Sequence, residues 1–143
     1  MADARARVDF LATHAGLPRV SAEMPLRANL SVLDNIALIP EYRDNLSYDA
    51  AADLTWRLLV AAGIEDAAFK RDPDLDHAQR FAAKLLRAAI AEPPIILIDR
   101  PALMLPDTHY PSYLDTLLQR LGAFLNTCWI VDYAWNQALY PHP

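Results

Sequence analysis

Residues 95–101 read Ile95-Ile96-Leu97-Ile98-Asp99-Arg100-Pro101. A short all-apolar run rich in β-branched residues, placed after the Pro93-Pro94 stop, predicts a strand buried on both faces. It delivers the carboxylate of Asp99 to its carboxyl end, where open α/β sheets place ligands. A few residues on, Asp107-Thr108-His109 could seed a metal or acid–base site. With the other histidines scattered at 14, 77 and 142, a surface loop is the plainer reading. Asp72-Pro73-Asp74-Leu75-Asp76 resembles the opening of a calcium loop. The pattern then fails, with His77 where glycine is needed and Ala83 where glutamate is needed. An acidic loop ending in a helix cap fits better. Cys128 lies in an apolar run and reads as a small buried hydrophobe. Being the single cysteine, it excludes an internal disulfide and a cysteine-based zinc site.

Composition narrows the chemistry further. The chain has 143 residues, the size of one domain, and is 54% hydrophobic and 22% charged, as globular chains are. Its net charge of −5 and lack of any basic run speak against nucleic acid. No apolar stretch is long enough to cross a membrane. Residues 1–7 do not form a signal peptide, so a cytosolic setting is the default. Phosphate cradles need residues that let backbone N–H groups approach an oxyanion closely. The only three glycines, Gly16, Gly63 and Gly122, are too scattered to build one.

The elements that must position these residues follow from periodicity and caps. Residues 1–22 fit a strand at 8–10 or a helix at 4–12. Ser31 can cap a helix over 32–38 that Pro40 ends. Ser47 can cap a helix over 48–62, with Gly63 at its exit. Asp76 and Gln79 form a capping-box pair before a helix with Ala78, Phe81, Ala82, Leu85 and Ala89 on its apolar stripe. Arg80, Lys84 and Arg87 line another side, read as a solvated face, with an acidic or lipid-headgroup contact as the alternative. A helix over 111–125, a second buried strand over 128–131 and a short helix over 134–139 complete the chain. Tyr110, Tyr113, Trp135 and Tyr140 read as packing, with an interface second. Strands alternating with helices predict an α/β fold with a small, mostly parallel sheet and much helix.

At this point the chain resembles the ATP-binding cassette (ABC) transporter ATPases. Their Walker B strand is four apolar residues followed by Asp-Glu-Pro, against Asp99-Arg100-Pro101 here. Leu75-Asp76-His77-Ala78-Gln79 lies where the family's Leu-Ser-Gly-Gly-Gln signature stands. The segment from Leu86 to Pro93 is similar to the stretch Ala-Arg-Ala-Leu-Ala…Pro that follows it. Residues 29–38, Asn-Leu-Ser-Val-Leu-Asp-Asn-Ile-Ala-Leu, resemble the segment after the Q-loop. Residues 128–133 stand where the strand into the switch histidine belongs. The likeness spans roughly 17–140 and leans toward the lipid-transport (Mla-type) branch. It implies one truncated domain over 1–143 derived from a P-loop NTPase. A helical part would lie at about 23–92 and the Walker B to switch-region part at about 93–140.

The departures are as informative as the matches. The family's Gly-x-x-x-x-Gly-Lys-(Ser/Thr) loop has no counterpart in the sequence. Its region is missing or reduced to the first residues of the chain. The Q-loop glutamine aligns with Ala22, the signature serine with Asp76, and its glycines with His77 and Ala78. The Walker B glutamate aligns with Arg100, which cannot accept a proton, and the switch histidine with Tyr133. The resemblance therefore implies a pseudo-ATPase with no nucleotide, cofactor or metal. Its expected partners are an ABC permease, an active ABC ATPase or a second copy, met in the cytosol or at the inner face of the membrane. The permease contact would use residues 26–46, whose Leu26, Leu30, Leu33, Ile36, Leu38, Ile39 and Tyr42 exceed what one short helix buries. The alternative is a small ligand-binding protein or enzyme with a site around Asp99, Asp107 and His109.

Overall fold

Three helices start for the same physical reason. The first N–H groups of a helix have no partner inside it, and a short side-chain oxygen supplies one. Ser31 accepts from the Asp34 N–H at 3.1 Å, Ser47 from Ala50 at 3.2 Å and Asp76 from Gln79 at 2.7 Å. These caps open α2 (Val32–Arg43), α3 (Tyr48–Ala62) and α4 (His77–Ala89). At Asp76 the pair is reciprocal, since Gln79 Oε1 accepts from the Asp76 N–H at 3.1 Å. Gly63 closes α3 in the left-handed conformation, φ 74°, as a helix exit needs.

The computed structural model describes residues 4–106 and 110–133. The remaining elements are helix α1 (Ala4–Thr13), strand β1 (Arg19–Val20), strand β2 (Ile95–Asp99), the four-residue helix α5 (Pro101–Met104), helix α6 (Tyr110–Arg120) and strand β3 (Thr127–Val131). Single turns of 3₁₀ helix lie at Glu65–Ala67 and Asp72–Asp74. The strands form one parallel sheet, ordered β1-β2-β3, with Val20 opposite Ile98 and Leu97 opposite Trp129.

Alternation along β2 sorts the core. Ile96 and Ile98 face the main core with Phe81, Leu85 and Leu86 of α4, Ile36 of α2 and Leu58 and Leu59 of α3. Leu97 faces the opposite way, against Leu11 of α1 and Val131. The result is an α/β layering with the thin sheet between α1 and the helical layer.

Of the two readings of the amino-terminal segment, the structure shows the helical one: α1 covers Ala4–Thr13 and is followed by the two-residue β1. Other expectations are corrected. Helix α2 runs through Pro40 to Arg43 rather than ending before it. The proline ring is buried, and its carbonyl accepts from the N–H groups of Asp44 and Leu46. Helix α6 stops at Arg120, five residues short of the expected end, and α5 went unpredicted. Strand β3 is not buried on both faces: Trp129 and Ile130 are partly exposed, because among the described residues no strand pairs with its outer edge. The expected helix at 134–139, with Trp135 and Tyr140, lies outside the described residues.

Candidate functional site: the carboxyl ends of the strands

All three strands are parallel, so their carboxyl ends converge, bringing together the residues after β1, at the end of β2 and after β3. Asp99 is the centre of this cluster. Its side chain is 1% exposed and meets Arg7 of α1 in a two-point contact, Nε to Oδ1 at 2.8 Å and Nη2 to Oδ2 at 2.5 Å. A fork–fork pair of this kind is the strongest side-chain interaction available to a carboxylate. The hydrogen bonds to Asp99, reinforced by its charge, raise the pKa of Arg7.

Arg100 follows in the left-handed region, φ 50°, because the chain must turn sharply from strand into α5. Its backbone N–H donates to the Val131 carbonyl at 2.7 Å, tying the turn to β3. The guanidinium pairs with Glu23 and lies 3.4 Å from Asp99. Glu23 also accepts from the Ser21 hydroxyl, which stands 3.3 Å from Asp99 as well. A hydroxyl has one proton, and the tighter Glu23 contact takes it. Ser21 and then Arg100 hold the Glu23 carboxyl down at about 2. Arg7, Ser21, Glu23, Asp99 and Arg100 thus form a closed network of two cations and two anions around one hydroxyl.

The other sequence-derived positions surround it. Ala22 is exposed just after β1. Leu75 is buried, Asp76 caps α4, and His77 is exposed on its first turn. Ala78 accepts a hydrogen bond from the Tyr113 hydroxyl at 3.0 Å, which joins α6 to α4. Tyr133 follows β3, with its N–H bonded to Asp132 Oδ1 at 2.7 Å. Asp107 and His109 lie outside the described residues, so their expected grouping with Asp99 has no geometry here. Among the described residues no group of three or more His, Cys, Asp or Glu is placed to hold a metal ion.

Sequence reasoning missed Arg7, Ser21 and Glu23. It also misplaced the cationic row of α4. Lys84 is buried, its ammonium donating to the Ser21 carbonyl at 3.1 Å. Arg80 binds Asp72, and Arg87 donates to the carbonyls of Pro25 and Met24 at 2.8 and 2.7 Å. Lys84 and Arg87 fasten the segment after β1 to α4, and Arg80 fastens the turn at 72–75, so the row is not a solvated face. The expected apolar contact strip is narrower too. Leu33 and Ile36 are buried because α2 packs on α3 and α4, Leu26 is buried in the same core, and Leu30, Leu38 and Ile39 are half-buried. Tyr42, 84% exposed, remains on the surface near Leu46 and Tyr48.

A dimeric bacterial ABC transporter cassette, MJ0796, superposes on 90% of this chain with a TM-score of 0.64 at 23% identity. The fold is that of an ATP-binding cassette. The same protein in a post-hydrolysis state bound to ADP and Pi covers 92% of the chain, again with a TM-score of 0.64, at 21% identity. In sequence, the cassette likeness extends to the lipoprotein-releasing system ATP-binding protein LolD of Wigglesworthia glossinidia brevipalpis, 26% identical over 106 residues. That alignment takes in 74% of this chain and 45% of LolD, so the chain spans about half the length of the curated relative it matches. It spans 57–60% of the solved cassettes. No protein-family model matches.

The cassette fold implies Mg-ATP, and the residues present do not fit it. Both Asp99 oxygens are engaged by a guanidinium of the same chain. The next residue, Arg100, is a cation.

Proposed function

We propose that this chain is a catalytically inactive cassette-like protein that acts as an interaction or regulatory subunit. It associates with an ABC transporter, through its permease or its active ATPase, or with a second copy of itself. The observation that carries the reading is the Arg7–Asp99 contact. In the family the Walker B aspartate serves Mg-nucleotide. Here the same carboxylate is neutralised from within, and the neighbouring position that would polarise water holds Arg100. Asp76, His77 and Ala78 in place of Ser-Gly-Gly, and Tyr133 in place of the switch histidine, point the same way. The likeness to LolD, whose name assigns it to lipoprotein release, supports a setting in lipid or lipoprotein transport. Among the described residues no helix is long and apolar enough to cross a membrane, which suits a peripheral subunit.

Surfaces available to a partner include the exposed Tyr42, Leu46 and Tyr48 around the α2–α3 junction and the outer edge of β3, which no strand among the described residues pairs. An unpaired strand edge offers a row of N–H and C=O groups to another chain. Sedimentation velocity at micromolar concentration, beside a pull-down from the native host, tests the association. A dimer that Ile130→Lys dissociates, or recovery of transporter subunits that Tyr42→Asp abolishes, is the expected outcome. A strict monomer that recovers no transporter subunit overturns the reading.

A further inference from the structure

Between the segment after β1, the first two turns of α4 and the short helix α5 lies an open pocket of about 210 Å³. It is lined by Ala22, His77, Arg80, Phe81, Lys84, Leu103 and Met104. Among the described residues that line it, three carry basic nitrogen and none is acidic, in a chain whose net charge is −5. The basic groups come from successive turns of one helix face, at positions 77, 80 and 84, so they reach the same space.

Lys84 is the unusual member. It is 5% exposed, yet among the described residues it pairs with no carboxylate. Its single hydrogen bond, to the Ser21 carbonyl, uses one of three N–H donors. Burial, and then the charge of Arg87, pushes its pKa down, as expected of a cation short of counter-charge. The described acids whose charge reaches it are committed elsewhere: Glu23 to Ser21 and Arg100, and Asp72 to Arg80. Arg80 spends Nε on the Asp72 carboxylate at 2.7 Å and Nη2 on the carbonyls of Asp72 and Leu75. That fixes the guanidinium plane and leaves the Nη1 donors free. Phe81, Leu103 and Met104 make the rest of the wall apolar.

We propose that this pocket binds a small organic oxyanion, a carboxylate or phosphate monoester on a short apolar body, with its head on Lys84 and Arg80. The volume of about 210 Å³ falls below the roughly 300 Å³ at which pockets for drug-sized ligands begin, so a small ligand fills it. The head supplies a further acceptor for the Lys84 ammonium, and the apolar body lies on Leu103 and Met104. The pocket lies beside the Arg7–Asp99 network, joined to it through the Lys84–Ser21 bond, and its proposal does not depend on whether the chain hydrolyses ATP.

Amide NMR titrations of the full chain with butyrate, phenyl phosphate, inorganic phosphate and butylammonium test it. Butyrate and phenyl phosphate should shift the amides of Ala22, His77, Lys84 and Leu103 saturably, with Kd on the order of 1 mM. Inorganic phosphate should bind there more weakly, and butylammonium should do nothing. The ratio of butyrate to phenyl phosphate affinity tells which head the site prefers. Lys84→Met, close in shape, should weaken both by at least about tenfold, as loss of a charged hydrogen bond does. If Lys84→Met does not fold, Leu103→Trp replaces it: Leu103 is 55% exposed at the rim, and the larger ring should block entry. Absence of saturable shifts, shifts elsewhere, equal response to butylammonium, or unchanged affinity in the folded variant overturns the proposal.

Discussion

Arg7 and Asp99 stand 92 residues apart in sequence and meet through two hydrogen bonds, at 2.8 and 2.5 Å. The contact joins α1 to the end of the central strand, over a sheet face otherwise packed by Leu11, Leu97 and Val131. It makes the amino-terminal helix part of the site and gives the buried carboxylate its counter-charge.

Removing one partner of such a pair leaves the other buried and uncompensated, at a cost of about 3 kcal/mol. Arg7→Met should therefore destabilise the chain by about that amount in urea denaturation. The double variant Arg7→Met/Asp99→Leu should recover most of the loss, because no orphaned charge remains. A loss under about 0.5 kcal/mol for Arg7→Met would mean that the contact contributes nothing net.

Glu23 gives a pH dependence of known sign. Ser21 and Arg100 lower its pKa from 4.5 to about 2 in the fold. A group with a depressed folded pKa contributes stability above its unfolded value and loses it as pH falls through the folded value. The urea midpoint of the native chain should fall as pH drops from about 4.5 toward 2, and Glu23→Gln should flatten part of that slope. The carboxylate is 61% exposed, so salt should reduce the effect. Identical pH profiles for the two proteins would contradict the network.

Gly63 is constrained twice. It sits at φ 74°, and a Cβ there would meet Arg120 Nη1 at 2.6 Å. The flexible arginine end can move, but the left-handed backbone still costs an alanine about 1 kcal/mol. Gly63→Ala should lower the thermal midpoint by a few degrees, and an unchanged midpoint would show that α3 can end another way.

The helices were legible where caps and periodicity agreed. Ser47 to Gly63 and the Asp76–Gln79 box mark their elements from local chemistry alone, and the apolar run before Asp99 marks β2. What the sequence hid depends on distant partners. Two residues, Arg19 and Val20, are too few for a periodic signal, and they are a strand only because β2 lies beside them. The burial of Lys84 depends on the Ser21 carbonyl 63 positions away. Arg7 looked like one charge in an alternating start, and nothing nearby tells that its partner is Asp99. The order of the motifs pointed to the cassette fold, and the internal ion network around Asp99 could not be read from that order.

The central claim is that these residues no longer serve a nucleotide, and titration calorimetry with Mg-ATP and Mg-ADP at millimolar concentration tests it most directly. The account predicts no saturable heat for the native chain, and none for Arg100→Glu, which restores the family's glutamate without its phosphate loop. Saturable binding with a Kd near or below roughly 100 μM, about −5.5 kcal/mol, or turnover of ATP by either protein would contradict it.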